Sequence, residues 1–298
     1  MKVAITGSSG LIGTALSASL RQSGHNVVSL VRRAPRSPDE IRWNPGSGHL
    51  DPAVLADVYG VVHLAGAGIG DRRWTESRKR ELLDSRVRGT AAVADAMAKG
   101  DAPGRFLISA SGVHYYGTAT GDEPVDESAP NGTGFLADVC RHWESAADPA
   151  REAGIRVVHP RSGLVLARSG GVLGRLLPLF RLGLGGRIGD GKAYWPWISL
   201  TDEVAAIRML IDSDLAGPVN LTAPEPVTNA EFTKVLGSVV HRPTLATVPA
   251  FALRTVIGEF ADEGILSVPR AVPRALTEAG FSFTHPDLRG ALEAITRP

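Results

Sequence analysis

Short, continuously apolar runs alternate with amphipathic stretches through the first half of the chain. KVAIT (2–6), NVVSLVR (26–32), YGVVHLAG (59–66), RFLISAS (105–111) and IRVVHPRSGLVL (155–166) read as strands. Their lack of polar alternation marks strands buried on both faces. LIGTALSASLRQSG (11–24), SRKRELLDSRVRGTAAVADAMAKG (77–100) and FLADVCRHWESAADPAREAG (135–154) read as helices. Gly24 suits a C-terminal cap. Strands alternating with helices predict an α/β fold with a parallel sheet covered on both sides.

The texture changes after about residue 166. GGVLGRLLPLFRLGLGGRIGDGKAYWPWI is rich in glycine and holds two tryptophans close together. TNAEFTKVLGSVV (228–240) and VPAFALRTVI (248–257) are helix candidates. The pattern predicts a first domain over 1–166 and a smaller, less regular C-terminal lobe over 167–298. GPVNLTA (217–223) is a candidate to rejoin the first domain's sheet.

A formal net charge of +1 provides no global field toward nucleic acid or an anionic membrane, so neither is expected as a partner. The one cysteine, Cys140, rules out an intrachain disulfide and a cysteine-based zinc site, and no metal is expected. MKVAITGSSGLIG lacks the long apolar core of a signal peptide. A cytoplasmic protein with a small-molecule substrate is the expectation, as a monomer or a homodimer.

The chemistry begins at Thr6-Gly7-Ser8-Ser9-Gly10-Leu11-Ile12-Gly13, between the first strand and the first helix. Gly7 allows a tight turn, Gly10 lets backbone N–H groups approach a pyrophosphate, and Gly13 permits close helix–strand packing. The helix N-terminus adds a partly positive end for phosphates. The spacing is G-x-x-G-x-x-G rather than G-x-G-x-x-G. A lone glycine triplet is weak evidence, but this one has a strand before it and a helix after it. The second strand ends Val31-Arg32-Arg33, with no carboxylate for ribose hydroxyls. Arginine there pairs with a 2′-phosphate, which indicates NADP(H) over NAD, with Arg32 the stronger candidate and Arg33 the second.

The glycine motif, Arg32, VVHLAG and SASGVHYYG, taken in order, resemble the extended and atypical short-chain dehydrogenase/reductases. More closely, the chain is similar to nucleoside-diphosphate-sugar epimerase-like proteins of unknown substrate. HPRSGLVL, WPWISLTDEVAA, GPVNLTAPEPVTNAEFTKVLG and RALTEAGFSF carry the resemblance nearly to the end. It implies a doubly wound parallel sheet of Rossmann type over 1–166 that binds NADP(H) and a C-terminal substrate lobe over 167–298, with Leu64, Ala65 and Gly66 lining the cofactor. It places Ser109, Ala110 and Ser111 near the nicotinamide, with Pro160, Ser162 and Gly163 beneath it.

The resemblance fails where family members of known chemistry keep Tyr-x-x-x-Lys. There the lysine, one helical turn from the tyrosine, lowers the phenol pKa so that it can exchange the alcohol proton. Counting back from Glu144 puts Cys140 at the lysine and Leu136 at the tyrosine; a one-residue shift gives Val139 and Phe135. Tyr115-Tyr116-Gly117 matches the preceding V-Y-G triplet, but Ser111 falls one place early.

Tyr116 and Ser111 remain the candidate catalytic residues, with a packed, hydrogen-bonded tyrosine as the alternative for Tyr116. Arg86 stands where the pattern has Asn. It is a candidate for the cofactor or a substrate anion, against a surface salt bridge. His114 reads as structural or solvated, Cys140 as a small buried hydrophobe, and Glu123, Asp126 and Glu127 as a solvated acidic loop. Trp195 and Trp197 suit a ligand wall or a core staple. Two functions stay open: an NADP(H)-dependent oxidoreductase or epimerase with an altered proton donor, and a non-catalytic NADP(H)-binding sensor.

Overall fold

The computed structural model describes residues 1–100, 104–118 and 121–297. The main sheet contains β1 (Lys2–Thr6), β2 (Asn26–Val31), β3 (Glu40–Arg42), β4 (Gly60–His63), β5 (Phe106–Ser109), β6 (Arg156–Ser162) and β7 (Gly217–Leu221). Its order is β7-β6-β5-β4-β1-β2-β3, every pair parallel. Ser111–Gly112 adds a short piece beside β6. The winding direction reverses between β1 and β4, and the crevice at their carboxyl ends is where doubly wound sheets bind ligands.

Side chains alternate across the strands, and both faces are apolar. Val3 and Ile5 face one side with Val62, Phe106, Ile108 and Val158. That side is covered by α1 (Leu11–Gln22) and by α6 (Leu200–Asp212), which places Leu16, Leu20, Ile207 and Leu210 in the same core. Ala4, Val61, Leu107 and Val157 face the other side. There α2 (Glu76–Ala98) and α4 (Asp148–Glu152) bring in Val93, Met97 and Ala150. This two-sided burial explains the continuous apolar runs.

A third core organises the C-terminal half. Leu173, Leu177 and Phe180 of α5 (Gly171–Arg181) meet Phe232 and Leu236 of α7 (Asn229–Val239) around Trp195 and Trp197. Thr228 and Glu231 form a capping box at the start of α7. Next along the chain, α8 (Ala250–Ile257) buries none of its residues. Among the described residues no helix is long and apolar enough to cross a membrane.

The structure revises two readings and adds one strand. The 155–166 run is two strands, because the chain leaves the main sheet at Gly163. Its N–H still bonds Leu221, but Leu164 bonds Pro196, and 164–166 pairs with 197–199. The 135–154 helix breaks after α3 (Phe135–Ser145), and Pro149 opens the short α4. Strand β3 was not foreseen, since three residues with charged ends give no periodic signal.

Candidate functional site

The glycine turn is set by backbone contacts. Gly7 has φ +67°, and a Cβ there would lie 2.9 Å from the Leu64 carbonyl carbon. A Cβ at Gly13 would lie 2.2 Å from the Gly7 oxygen, so α1 can cross this close only without a side chain. Gly10 differs: its added Cβ meets only the Gly7 oxygen, at 3.2 Å. Gly10 caps α1, which has no side-chain cap and no acidic residue in its first turn. The helix N-terminus is therefore free to receive an anion. Thr6 Oγ1 ties the turn to β4 by accepting the N–H groups of Leu64 and Ala65, both at 3.1 Å.

A cleft of about 1090 Å³ runs from this turn. Gly7, Ser8, Ser9, Gly10, Arg32, Arg33, Leu64, Ala65 and Gly66 all line it. Leu11, Ile12 and Gly13 do not, and Gly13 instead gives the close packing expected of it. The helical turn directs Ile12 into the core and Leu11 toward Gly170 and Gly171. Their share of any phosphate contact is limited to the backbone.

The two arginines after β2 differ. Arg33 is held by Glu40 of β3, Nη1 to Oε2 at 2.7 Å and Nη2 to Oε1 at 2.5 Å. Arg33, helped by the Arg36 N–H, lowers the Glu40 carboxyl to about 2. Arg32 is exposed and makes no ion pair or hydrogen bond among the described residues. Among the arginines lining the cleft Arg32 alone has no partner among the described residues; Glu40 is engaged, while Asp39, also on the lining, makes no side-chain bond. These residues fit a dinucleotide with a 2′-phosphate.

The remaining predicted residues gather beyond the cleft, at the carboxyl ends of β5 and β6. Ser109 is fully buried with an unpartnered Oγ, Pro160 is buried, and Ala110, Ser162 and Gly163 are half-buried. A Cβ on Gly163 would lie 2.4 Å from the Pro196 oxygen, so this glycine serves the strand crossing. Ser162 Oγ donates to Glu203 Oε1 at 2.6 Å. Burial raises the Glu203 carboxyl to about 7, and its Oε2 has no partner.

The α3 region corrects the catalytic expectation. Leu136 is buried against Trp74 and Leu82, and the Cys140 thiol is pushed up to about 11 by burial. Glu144 accepts from Ser111 Oγ at 2.7 Å and from Arg161. Tyr116 is 2% exposed, donates to Asn220 Oδ1 at 2.7 Å and accepts from Arg161 Nη1 at 3.0 Å. Burial raises its phenol to about 12, the reverse of what a proton acceptor at neutral pH requires. Tyr116 and Ser111 belong to a buried polar network and are not poised toward the cleft.

Other positions shift as well. Arg86 is buried, which removes the surface salt bridge as its alternative. His114 Nε2 is buried without a partner, and burial lowers that imidazole to about 4. Trp195 and Trp197 are core residues, with Trp195 packed on Phe232. Glu127 is not solvated, because it accepts the N–H groups of Asn220 and Ala275. Glu263 was missed altogether. Its carboxylate accepts the N–H groups of Phe135 and Leu136 and so caps α3 from the C-terminal half. That contact spans more than a hundred residues of sequence and leaves no local signal.

A family model described as "NAD dependent epimerase/dehydratase family" matches residues 3–221, and one described as "Domain of unknown function (DUF1731)" matches 248–295. Epimerase family protein Mb2239 of Mycobacterium bovis is 52% identical over 298 residues, covering 99% of this chain and 98% of that protein. The crystal structure of human epimerase family protein SDR39U1 (isoform 2) with NADPH is 32% identical, with a TM-score of 0.88 and 99% of each chain covered. A nucleoside-diphosphate sugar epimerase from Corynebacterium glutamicum is 34% identical with a TM-score of 0.80; the match covers 99% of this chain and 58% of that one.

Proposed function

The chain belongs to the NAD dependent epimerase/dehydratase family, and from that premise we propose that it binds NADP(H) in the crevice between β1 and β4. It acts there as an oxidoreductase or epimerase on the hydroxyl or carbonyl carbon of a small or nucleotide-linked substrate. The observation that carries the cofactor reading is the pairing of Arg33 with Glu40, which leaves Arg32 uncommitted beside the glycine turn. The related human structure with NADPH supports it.

When bound, the nicotinamide supplies a hydride donor or acceptor. Gly10 and the α1 N-terminus hold the phosphates, Arg32 the 2′-phosphate, and Leu64 to Gly66 the middle of the dinucleotide. The proton comes from a group other than Tyr116, since that phenol is sealed and hydrogen-bonded on both sides. Single-turnover absorbance at 340 nm with bound NADPH and a panel of carbonyl compounds tests this. A compound that accelerates NADPH oxidation supports it, and a silent panel at saturating cofactor counts against it.

The second reading is a non-catalytic NADP(H)-binding sensor. Leu136 and Cys140 in place of the phenol and amine favour it, as does the buried Tyr116. It predicts tight NADPH binding with no turnover, and stereospecific hydride transfer to any compound refutes it.

A further inference from the structure

Arg86 carries a charge that no carboxylate around it balances. It lies midway along α2 and is 6% exposed. Nη1 donates to the carbonyls of Ala67 at 3.0 Å and Leu82 at 3.1 Å. Nε is sealed without a partner, and Nη2 makes no hydrogen bond among the described residues. The guanidinium lies 4.8 Å from the centre of the Trp143 ring. Two other buried arginines of this region are balanced: Arg78 meets Glu81 at 2.7 Å, and Arg161 meets Glu144 at 2.8 Å. The titratable groups near Arg86 are Cys140, His63 and Arg78, and none supplies a negative charge. Burying a guanidinium without a carboxylate is costly, and Arg86 offsets that cost only with two carbonyls and a ring face, as Arg105 does with two carbonyls away from the cleft.

Its position indicates where the anion comes from. Gly66 and Ala67 line the dinucleotide cleft. A Cβ on Gly66 would lie 3.3 Å from Arg86 Cζ, so the guanidinium lies directly behind the backbone of the lining rather than on the lining itself, and its Nη2, unlike Nε, is not sealed. Cys140, at the position where similar enzymes carry the amine, is near enough to act on its charge. The charge missing from α3 is present on α2.

We infer that Arg86 is the anion receiver of the cleft: its uncommitted edge takes an oxyanion of the bound ligand, and α2 thereby supplies the cation that α3 lacks. This rests on the dinucleotide reading above. The oxyanion belongs either to the pyrophosphate of the dinucleotide or to a carboxylate of the substrate.

Arg86→Met and Arg86→Gln delete the charge, and Arg86→Lys keeps it. Far-UV circular dichroism and melting select the neutral variant that retains the wild-type fold. Three probes are titrated: NADPH, adenosine 2′-monophosphate, and oxamate added to NADP⁺-saturated protein. Adenosine 2′-monophosphate, which has no phosphate of the pyrophosphate, binds the neutral variant as it binds wild type. If the pyrophosphate is the anion, the neutral variant binds NADPH about ten-fold or more weakly, the size of a lost charge-assisted hydrogen bond. If a substrate carboxylate is the anion, NADPH binding holds and oxamate binding is lost. Arg86→Lys recovers most of either loss. A folded neutral variant that binds both NADPH and oxamate as wild type does overturns the inference alone. Wild-type protein that does not bind NADPH overturns the dinucleotide reading and the inference with it.

Discussion

Glu144 of α3 and Arg161 of β6 form a two-pronged ion pair, Nε to Oε1 and Nη2 to Oε2, both at 2.8 Å. Their side chains are 12% and 3% exposed. The pair also gathers Ser111 and Tyr116, and so fixes α3 to the sheet. Removing one member of a buried pair leaves the other charge uncompensated. Glu144→Ala is expected to destabilise the fold by about 3–5 kcal/mol, measured by urea unfolding. A shift below about 1 kcal/mol, the range of exposed pairs, would show that the pair does not hold α3.

Tyr116 is the test of the proton reading. Tyr116→Phe removes a donor to Asn220 and an acceptor for Arg161. The expected loss is about 1–3 kcal/mol of stability, with NADPH affinity unchanged. Any hydride-transfer rate found with the wild type should also persist in this variant. A collapse in that rate at unchanged affinity would restore Tyr116 as the proton donor.

Gly10 and Gly13 should separate binding from folding. Gly10 has room for a side chain apart from the Gly7 oxygen at 3.2 Å, whereas Gly13 has that oxygen at 2.2 Å. Gly10→Val therefore keeps the fold and loses cofactor binding, because the side chain occupies the pyrophosphate position. Gly13→Val forces α1 away from the turn and lowers the melting temperature itself. Calorimetry with and without NADPH distinguishes the two, and equal melting losses would contradict the assignment.

Glu203 gives a pH signature. Burial raises its carboxyl to about 7 from an ordinary 4.5. Between those values the folded protein holds a proton that the unfolded chain has released. Stability from this group is therefore present at low pH and lost as pH rises through the window. Glu203→Gln, neutral throughout, should gain stability relative to wild type from pH 5 to pH 8, by an amount on the order of a few kcal/mol. Melting temperatures of both proteins at the two pH values decide it, and a constant difference would place the folded pKa outside the window.

Local chemistry made the first half of the fold legible. Two-sided burial wrote continuous apolar runs at β1, β2, β4 and β5, and the glycine turn announced the crevice between them. In sequence Arg32 ranked above Arg33 only by lying nearer the strand end. Their difference depends on Glu40, brought alongside by a strand too short to show a period. The polar network hid for a related reason. Tyr116, Glu144, Arg161 and Asn220 lie far apart in the chain and meet only because β6 and β7 pair beside β5. Residue type alone makes Tyr116 an acid–base candidate; burial between Asn220 and Arg161 makes it structural. Arg86 stood open in sequence between a ligand contact and a surface salt bridge, and its burial removes the second.

The central claim is that the crevice between β1 and β4 selects a 2′-phosphate through Arg32. It is tested most directly by titrating NADPH and NADH into wild type and Arg32→Asp. The account predicts that wild type binds NADPH at least about ten-fold more tightly than NADH, consistent with one strong charge-assisted contact. Arg32→Asp should erase or invert that preference. Equal affinities in the wild type, or a preference unchanged by the substitution, would contradict it.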